Sequence, residues 1–298
     1  MLKFVFGYHT LVSLPIKPPF APMEAQPAAE LPPAGVQYEP KWDGFRCVAF
    51  REGPDVYLQS KAGQPLSRYF PEIVDALVAL NANEFVIDGE LVVPVEDRLD
   101  FDQLLQRIHP AASRVKTLAQ KFPATFLVFD LLVDETGKEV WQEPLHARRR
   151  HLERFAKQFD GQPQLRLSPA TQDPQTMKRW LGAVGGALDG IIAKDVNAVY
   201  ATGLRTAAVK VKRMRTADCV VGGYRPSKDG KSIGSMLLGL YDESGGLDYV
   251  GFCSGLSAKE KQGLLGQLKT LHGPNAFTVR SPGGPSRWNR GKESEWIP

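Results

Sequence analysis

Glu39-Pro40-Lys41-Trp42-Asp43-Gly44-Phe45-Arg46 stands between two textures of chain, a proline- and alanine-rich lead-in before it and a series of short apolar runs after it. A lysine attacks phosphorus only when deprotonated, so a nucleophilic lysine needs a partly desolvated site or neighbouring positive charge. Lys41 is the candidate. Gly44 would let backbone approach a nucleotide closely, and the Arg46 fork suits a ribose or phosphate. Alone, the Lys-x-Asp-Gly spacing also reads as a solvated hairpin, because these residues are common in turns.

Working outward, four runs read as strands: RCVAFR (46–51), DVYLQS (55–60), EFVIDGELVV (84–93) and TFLVFDLLV (125–133). The third carries Asp88, Gly89 and Glu90 where a buried strand meets solvent, a setting for a metal-binding carboxylate, although a strand-end glutamate is also an ordinary surface charge. The fourth places Phe129 beside Asp130 in an apolar run, where the ring can stack on a base or simply fill a core. Further on, Leu188-Asp189-Gly190-Ile191-Ile192-Ala193-Lys194 sets an acid and a glycine ahead of an apolar strand. In Val209-Lys210-Val211-Lys212, alternation puts both lysines on one strand face, able to neutralise a triphosphate or to lie solvated on a sheet edge.

The segments PEIVDALVAL (71–80), FDQLLQRIH (101–109), HARRRHLERFAKQF (146–159) and PQTMKRWLG (174–182) have helical spacing and should flank the sheet. Before them, residues 1–35 read as an irregular lead-in on the surface, with order beginning near Val36. Beyond Lys212 the pieces DCVVGGYR (218–225), SMLLGLYD (235–242) and LDYVGFC (247–253), with a helix over 257–271, suit a small Greek-key barrel. The organisation is therefore α+β, with a large domain over 36–212 and a barrel over 213–298. A net charge of +4 is too mild an excess to decide for or against a polyanionic partner. Cys47, Cys219 and Cys253 lack the paired spacing of a zinc or redox site and read as reduced residues of a cytoplasmic protein. The opening residues are interrupted by Gly7 and His9 and read as a tail, not an export signal, and no apolar run approaches the roughly 20 residues of a membrane span.

Taken in order, EPKWDGFR, QSKAG (59–63), VIDGELV (86–92), FLVFDLL (126–132), LDGIIAK (188–194) and VKVK (209–212) resemble the nucleotidyltransferase motifs of ATP-dependent DNA ligases. The likeness runs from about Tyr38 onward. In texture the chain is similar to the small C-type repair ligases of actinobacteria and to the ligase domain of D-type end-joining proteins. GFCSGLS (251–257) and PSRWNRGKESEWIP (285–298) resemble their barrel segment.

The resemblance implies a nucleotidyltransferase domain of antiparallel sheets and flanking helices, followed by an OB-fold. Lys41 would attack the α-phosphate of ATP and carry AMP, which passes to the 5′-phosphate of a nick before the 3′-hydroxyl displaces it. Glu39 would lie against the adenine, Phe129 would stack on it, and Arg46 would hold ribose or phosphate. Glu90 would contact ribose or a metal, Asp189 would serve a magnesium or manganese ion, and Lys210 with Lys212 would bind phosphates. Nicked duplex DNA would be gripped by Lys61, Arg213, Arg215, Arg225, Lys228, Lys231, Arg287, Arg290 and Lys292, each of which singly also reads as a solvated cation. The implied protein is a monomeric bacterial cytoplasmic enzyme of DNA repair, acting alone or with repair-complex proteins.

Three positions depart from the family pattern: Asp189 where glutamate is commoner, Lys61 where many relatives carry arginine, and Ala208 where tryptophan is frequent. The sequence also stops at Pro298, short of a basic barrel motif, so the barrel is expected to be truncated and self-adenylylation weakened if the stop is natural. An RNA ligase or capping-type nucleotidyltransferase shares the same lysine chemistry, and a noncatalytic ligase-like DNA-binding protein is the alternative from another class.

Overall fold

The strand Thr125–Val133 is buried at all nine positions, because Phe, Leu and Val recur on both of its faces and each face has its own core to fill. It belongs to a five-stranded sheet ordered Asp55–Ser60, Phe45–Glu52, Glu84–Val92, Thr125–Val133, Leu165–Leu167. The first four are antiparallel neighbours and the last is parallel to Thr125–Val133. These strands match the four sequence-predicted runs to within a residue or so.

In this computed structural model the described residues are 11, 13–96, 98–183, 188–212, 216–274, 276–282 and 295–298. The chain divides into two compact units, 1–214 and 215–298.

In the first unit one side of the five-stranded sheet carries the largest core, where Ile73 and Leu77 from the helix Pro71–Val78, Phe70 just before it, and Leu152 and Phe155 from the helix Leu145–Phe155 meet Ala49, Leu58, Ile87 and Val128. The helix Ala112–Lys121 is present although periodicity did not mark it: it buries only Val115 and Ala119 in a polar stretch, too few apolar positions to show a period.

A second sheet of four strands is ordered Gln26–Pro27, Ala208–Lys212, Leu188–Asp195, Val36–Trp42. Its last two contacts are antiparallel, while Gln26–Pro27 runs parallel to Ala208–Lys212, so both sheets are mixed and not purely antiparallel as expected. Behind it, Val36, Tyr38, Ile191 and Ala193 pack with Met177, Trp180 and Leu181 of the helix Pro174–Gly182. Lys41 lies inside the strand Val36–Trp42, not in a hairpin ahead of a strand.

The described part of the lead-in, from residue 13 to 35 with Leu11, has little regular structure, as its composition demands, but it is not a solvated segment. Leu11, Leu14, Ile16 and Met23 are buried against Val48, Phe50, Val86, Leu132, Tyr200 and Ala208, and Phe20 stacks on Tyr200. Order thus begins well before Val36, because these widely spaced apolar residues fill the core on the other side of the five-stranded sheet.

The second unit holds an antiparallel sheet of Val220–Pro226, Ile233–Tyr241 and Leu247–Cys253, and a helix, Ala258–Thr270, whose start is closed by a Ser257–Glu260 capping box. Its small core contains Leu237, Leu247 and Phe277, with Tyr249 and Trp296 against them. Tyr224 and Ile297 exchange backbone hydrogen bonds of 2.8 Å, which ties the end of the chain to this sheet.

Candidate active site

Strand register gathers the chemistry. Directly opposed residues on neighbouring strands share a face, and so do alternate residues along one strand. In the four-stranded sheet Lys41 and Lys212 both oppose Gly190, Glu39 and Lys210 both oppose Ile192, and Gln37 and Ala208 both oppose Lys194. One face therefore presents Glu39, Lys41, Ile192, Lys194, Lys210 and Lys212, while Tyr38, Ile191 and Ala193 face the core behind. Gly190 is required at the crossing point: a Cβ there would collide with the Val211 carbonyl.

Strict alternation would send Asp189 to the opposite face from Lys41. The register shift between Leu188 and Gly190 is a bulge that re-aims it. Its Oδ2 accepts from Lys41 Nζ at 2.5 Å and lies 2.7 Å from Lys212 Nζ. Burial raises the Asp189 pKa, but hydrogen bonds and charge from the two lysines outweigh it and hold the carboxyl below its usual range.

The five-stranded sheet supplies the facing wall. Arg46 opposes Glu90, and Asp88 lies two residues from Glu90 on the same face. Arg46 donates Nε to Asp88 Oδ1 and Nη2 to Asp88 Oδ2, each at 2.6 Å, and Tyr200 donates its hydroxyl to Asp88 Oδ2 at 2.5 Å. Asp88 is fully buried, whereas the Arg46 side chain is partly exposed to the cavity. Burial opposes the Arg46 charge, but Asp88 more than compensates and the guanidinium pKa is raised. A register shift between Asp88 and Gly89 leaves Phe129 unopposed, as another between Val86 and Ile87 leaves Leu132, and the Phe129 ring lies 4.5 Å from the Arg46 guanidinium.

Gly44 does not line the pocket. A Cβ at this glycine would strike the Leu91 carbonyl and the Glu90 side chain, so its close approach is to the neighbouring strand and not to a ligand.

The two walls enclose a cavity of about 280 Å³, near the lower end of ligand-cleft sizes. Its lining includes Glu39, Lys41, Arg46, Lys61, Glu90, Phe129, Lys210 and Lys212. Beneath Phe129 runs a buried chain of charges: Lys194 Nζ lies 2.8 Å from Glu39 Oε2 and 4.0 Å from Asp130 Oδ2, and Arg148 grips Asp130 with bonds of 2.8 and 3.1 Å. The Lys194–Glu39 approach is at ion-pair distance without hydrogen-bond alignment, so its protons are not fully satisfied.

Burial lifts the half-buried Glu90 to about 7, against partial relief from Arg46 and Lys41. Desolvation first, and then Lys41, Lys61, Lys212 and Arg205, lower Lys210. The site is thus strongly positive on the side of Lys41, Lys61, Lys210 and Lys212.

Of the sequence-predicted residues, Lys41, Glu39, Arg46, Glu90, Phe129, Lys210, Lys212 and Lys61 line this cavity, and Asp189 joins them through Lys41 and Lys212. Arg225 and Lys228 lie in the second unit, where the Arg225 guanidinium covers Phe252 at 5.3 Å. Arg213, Arg215, Arg287, Arg290 and Lys292 lie outside the described residues. Sequence reasoning missed Asp88 as the Arg46 partner, Lys194, Ile192 and the lead-in residues Pro22 to Ala25, all of which belong to the site or hold it. Lys194 was recoverable from its alternation with Ile192; the lead-in carried no such signal.

A family model described as the ATP dependent DNA ligase domain matches residues 22–212. The chain is 43% identical to DNA ligase C2 of Mycolicibacterium smegmatis and 42% identical to DNA ligase C of Mycobacterium tuberculosis, in each case over 96% of this chain and 84% of the relative. Among solved structures it resembles a mycobacterial DNA ligase D complexed with ATP and MES, with a TM-score of 0.52 and 26% identity over 93% of this chain and 85% of that one.

Proposed function

Since the chain belongs to the ATP-dependent DNA ligase family, we propose that its ligation chemistry runs through Lys41 in the cavity just described. The chain is an ATP-dependent DNA ligase of the kind represented by the mycobacterial C-type enzymes, acting on DNA with ATP. One observation carries the assignment of the nucleophile. Lys41 is held 2.5 Å from Asp189, within a cavity that also presents Phe129 and the lysines 210 and 212.

In this reading ATP enters with its adenine against Phe129 and Glu39, and Arg46 meets the ribose or α-phosphate. The clamp to Asp88 and Tyr200 supports this role by fixing the Arg46 plane before ligand arrives. Lys210 and Lys212 offset the charge of the phosphates. Lys41 Nζ attacks the α-phosphorus, forming a P–N bond while the P–O bond to pyrophosphate breaks. The proton lost from Nζ has Asp189 Oδ2 at hand. The 5′-phosphate of a nick then takes the AMP from Lys41, and the 3′-hydroxyl displaces AMP to close the strand.

A magnesium or manganese ion fits the donor set. Glu90 is a cavity carboxylate without a hydrogen-bond partner among the described residues, and burial raises its pKa by more than the charges of Arg46 and Lys41 offset. With Asp189 it offers two hard oxygen ligands, the complement such ions take when phosphates and water complete the shell. The ion would neutralise charge on the transferring phosphoryl group.

We read residues 1–35, 36–212 and 213–298 as lead-in, nucleotidyltransferase domain and OB-fold, with three antiparallel strands and a helix in support of the last. Arg225, Lys228 and Lys61, with Arg213, Arg215, Arg287, Arg290 and Lys292, would contact DNA phosphates as cations that do not read sequence. The enzyme would act as a monomer in bacterial DNA repair.

Intact mass before and after pyrophosphate treatment tests the assignment. An AMP adduct that forms with ATP, reverses with pyrophosphate and is absent from Lys41→Ala is the expected result; an adduct that persists in Lys41→Ala overturns it.

A further inference from the structure

Four lysines, Lys41, Lys61, Lys210 and Lys212, line the cavity, and Arg205 reaches its edge through Glu24; the other four cations all depress Lys210. Two carboxylates pair with them. Asp189 takes Lys41 and Lys212, as its bulge dictates. The other is Glu24, from the lead-in. Its Oε2 accepts from Lys61 Nζ at 2.9 Å and from Arg205 Nε at 3.1 Å, with Arg205 Nη2 at 3.0 Å.

The backbone that carries Glu24 is pinned. Arg46 Nη2 donates to the Met23 carbonyl at 3.2 Å, Glu24 N donates to the Leu204 carbonyl at 2.9 Å, and Ala28 N donates to the Lys210 carbonyl at 3.0 Å. The segment thus touches two residues of the nucleotide site, Arg46 and Lys210, and Glu24 itself lines the cavity beside Lys61. Lys61 is 56% exposed and Arg205 59%. Long cations so exposed sample many rotamers unless something holds them, and ordering them when ligand arrives costs entropy. Glu24 does this in advance, and the Lys61 hydrogen bond, chief among the influences on it, keeps its carboxyl ionised by lowering its pKa.

We propose that Glu24 is a positioning residue for ligation: it fixes Lys61 and Arg205 at the cavity mouth so that an incoming phosphate meets two oriented cations. Five cations against Asp189, Glu24 and Glu90 still leave positive charge to spare, so the phosphate need not expel Glu24. The inference rests on the ligase reading above. Two phosphates reach this cavity, those of ATP and the 5′-phosphate of the nick, and they share the anionic oxygens that Lys61 and Arg205 would bind.

The test compares wild type, Glu24→Gln and Glu24→Asp in two arms: lysyl-AMP formation as a function of ATP concentration, and single-turnover AMP transfer from preloaded enzyme as a function of nicked-DNA concentration. Glu24→Gln is expected to weaken one arm roughly fivefold, through KM and not the limiting rate, the scale set by exposed ion pairs. Glu24→Asp should recover part of the loss, and the melting temperature should hold. A defect confined to the first arm assigns the nucleotide phosphates, and one confined to the second assigns the 5′-phosphate. Unchanged activity, an equal loss in both arms, or a loss that follows a fallen melting temperature overturns the proposal. Failure of the ligase reading looks different, because wild type would then form no adenylate at all.

Discussion

Lys41 and Arg46 are five residues apart, and each is held by one aspartate, yet the two attachments differ in kind. Arg46 meets Asp88 through two parallel bonds, with a fully buried carboxylate that the buried Tyr200 hydroxyl completes, while the guanidinium itself is 23% exposed toward the cavity. Lys41 shares a single oxygen of Asp189 with Lys212, and that carboxylate is 29% exposed. The first is a scaffold, because leaving the buried carboxylate without its partners is costly. The second is an exchangeable contact, and a nucleophile has to leave its resting partner in every turnover.

The largest expected effect tests the scaffold. Asp88→Ala leaves the buried Tyr200 hydroxyl and the inner edge of Arg46 without their acceptor, and a loss of about 3 kcal/mol is expected in denaturant unfolding. A loss no greater than that of the Asp189 variant would erase the distinction. Asp189→Asn comes next: the rate of lysyl-AMP formation should fall at least about tenfold, since the proton acceptor is gone, while stability moves by no more than about 1 kcal/mol. Lys210→Ala, which removes a cation with no carboxylate partner among the described residues, should raise KM for ATP about fivefold with little change in melting temperature.

The smallest effect concerns pH. Glu90 titrates near 7 in the fold and at its ordinary 4.5 when unfolded. Between those values the folded chain binds more protons than the unfolded one, so this group's contribution to stability declines as pH rises from about 4.5 to about 7. Melting curves of Glu90→Gln should therefore gain on wild type across that window. A parallel displacement of the two curves at all pH values would sink the assignment.

Much of the site was legible in linear form. The strands around residues 46–60, 84–92, 125–133 and 188–212 follow from short apolar runs with turn residues between them. Same-face placement of Lys210 and Lys212 follows from alternation, and both line the cavity. Two bulges were not legible. Without them Asp189 would face away from Lys41 and Phe129 would lie in the regular ladder, and a one-residue shift leaves no mark on composition or periodicity. The lead-in was misjudged for a related reason: Leu11, Leu14, Ile16 and Met23 follow no period, and their burial depends on a groove made by strands far along the chain.

From the residues alone came the order of the motifs, the strand-forming segments and the candidate nucleophile, since these depend on local patterning and on side-chain chemistry. Which carboxylate meets which cation was decided only in three dimensions. Arg46 and Asp88 are brought together across two strands, Lys41 and Asp189 across most of the first unit, and Lys61 and Glu24 by a segment without regular structure. Charge pairing acts over a few ångströms of space, and distance along the chain carries almost no information about it.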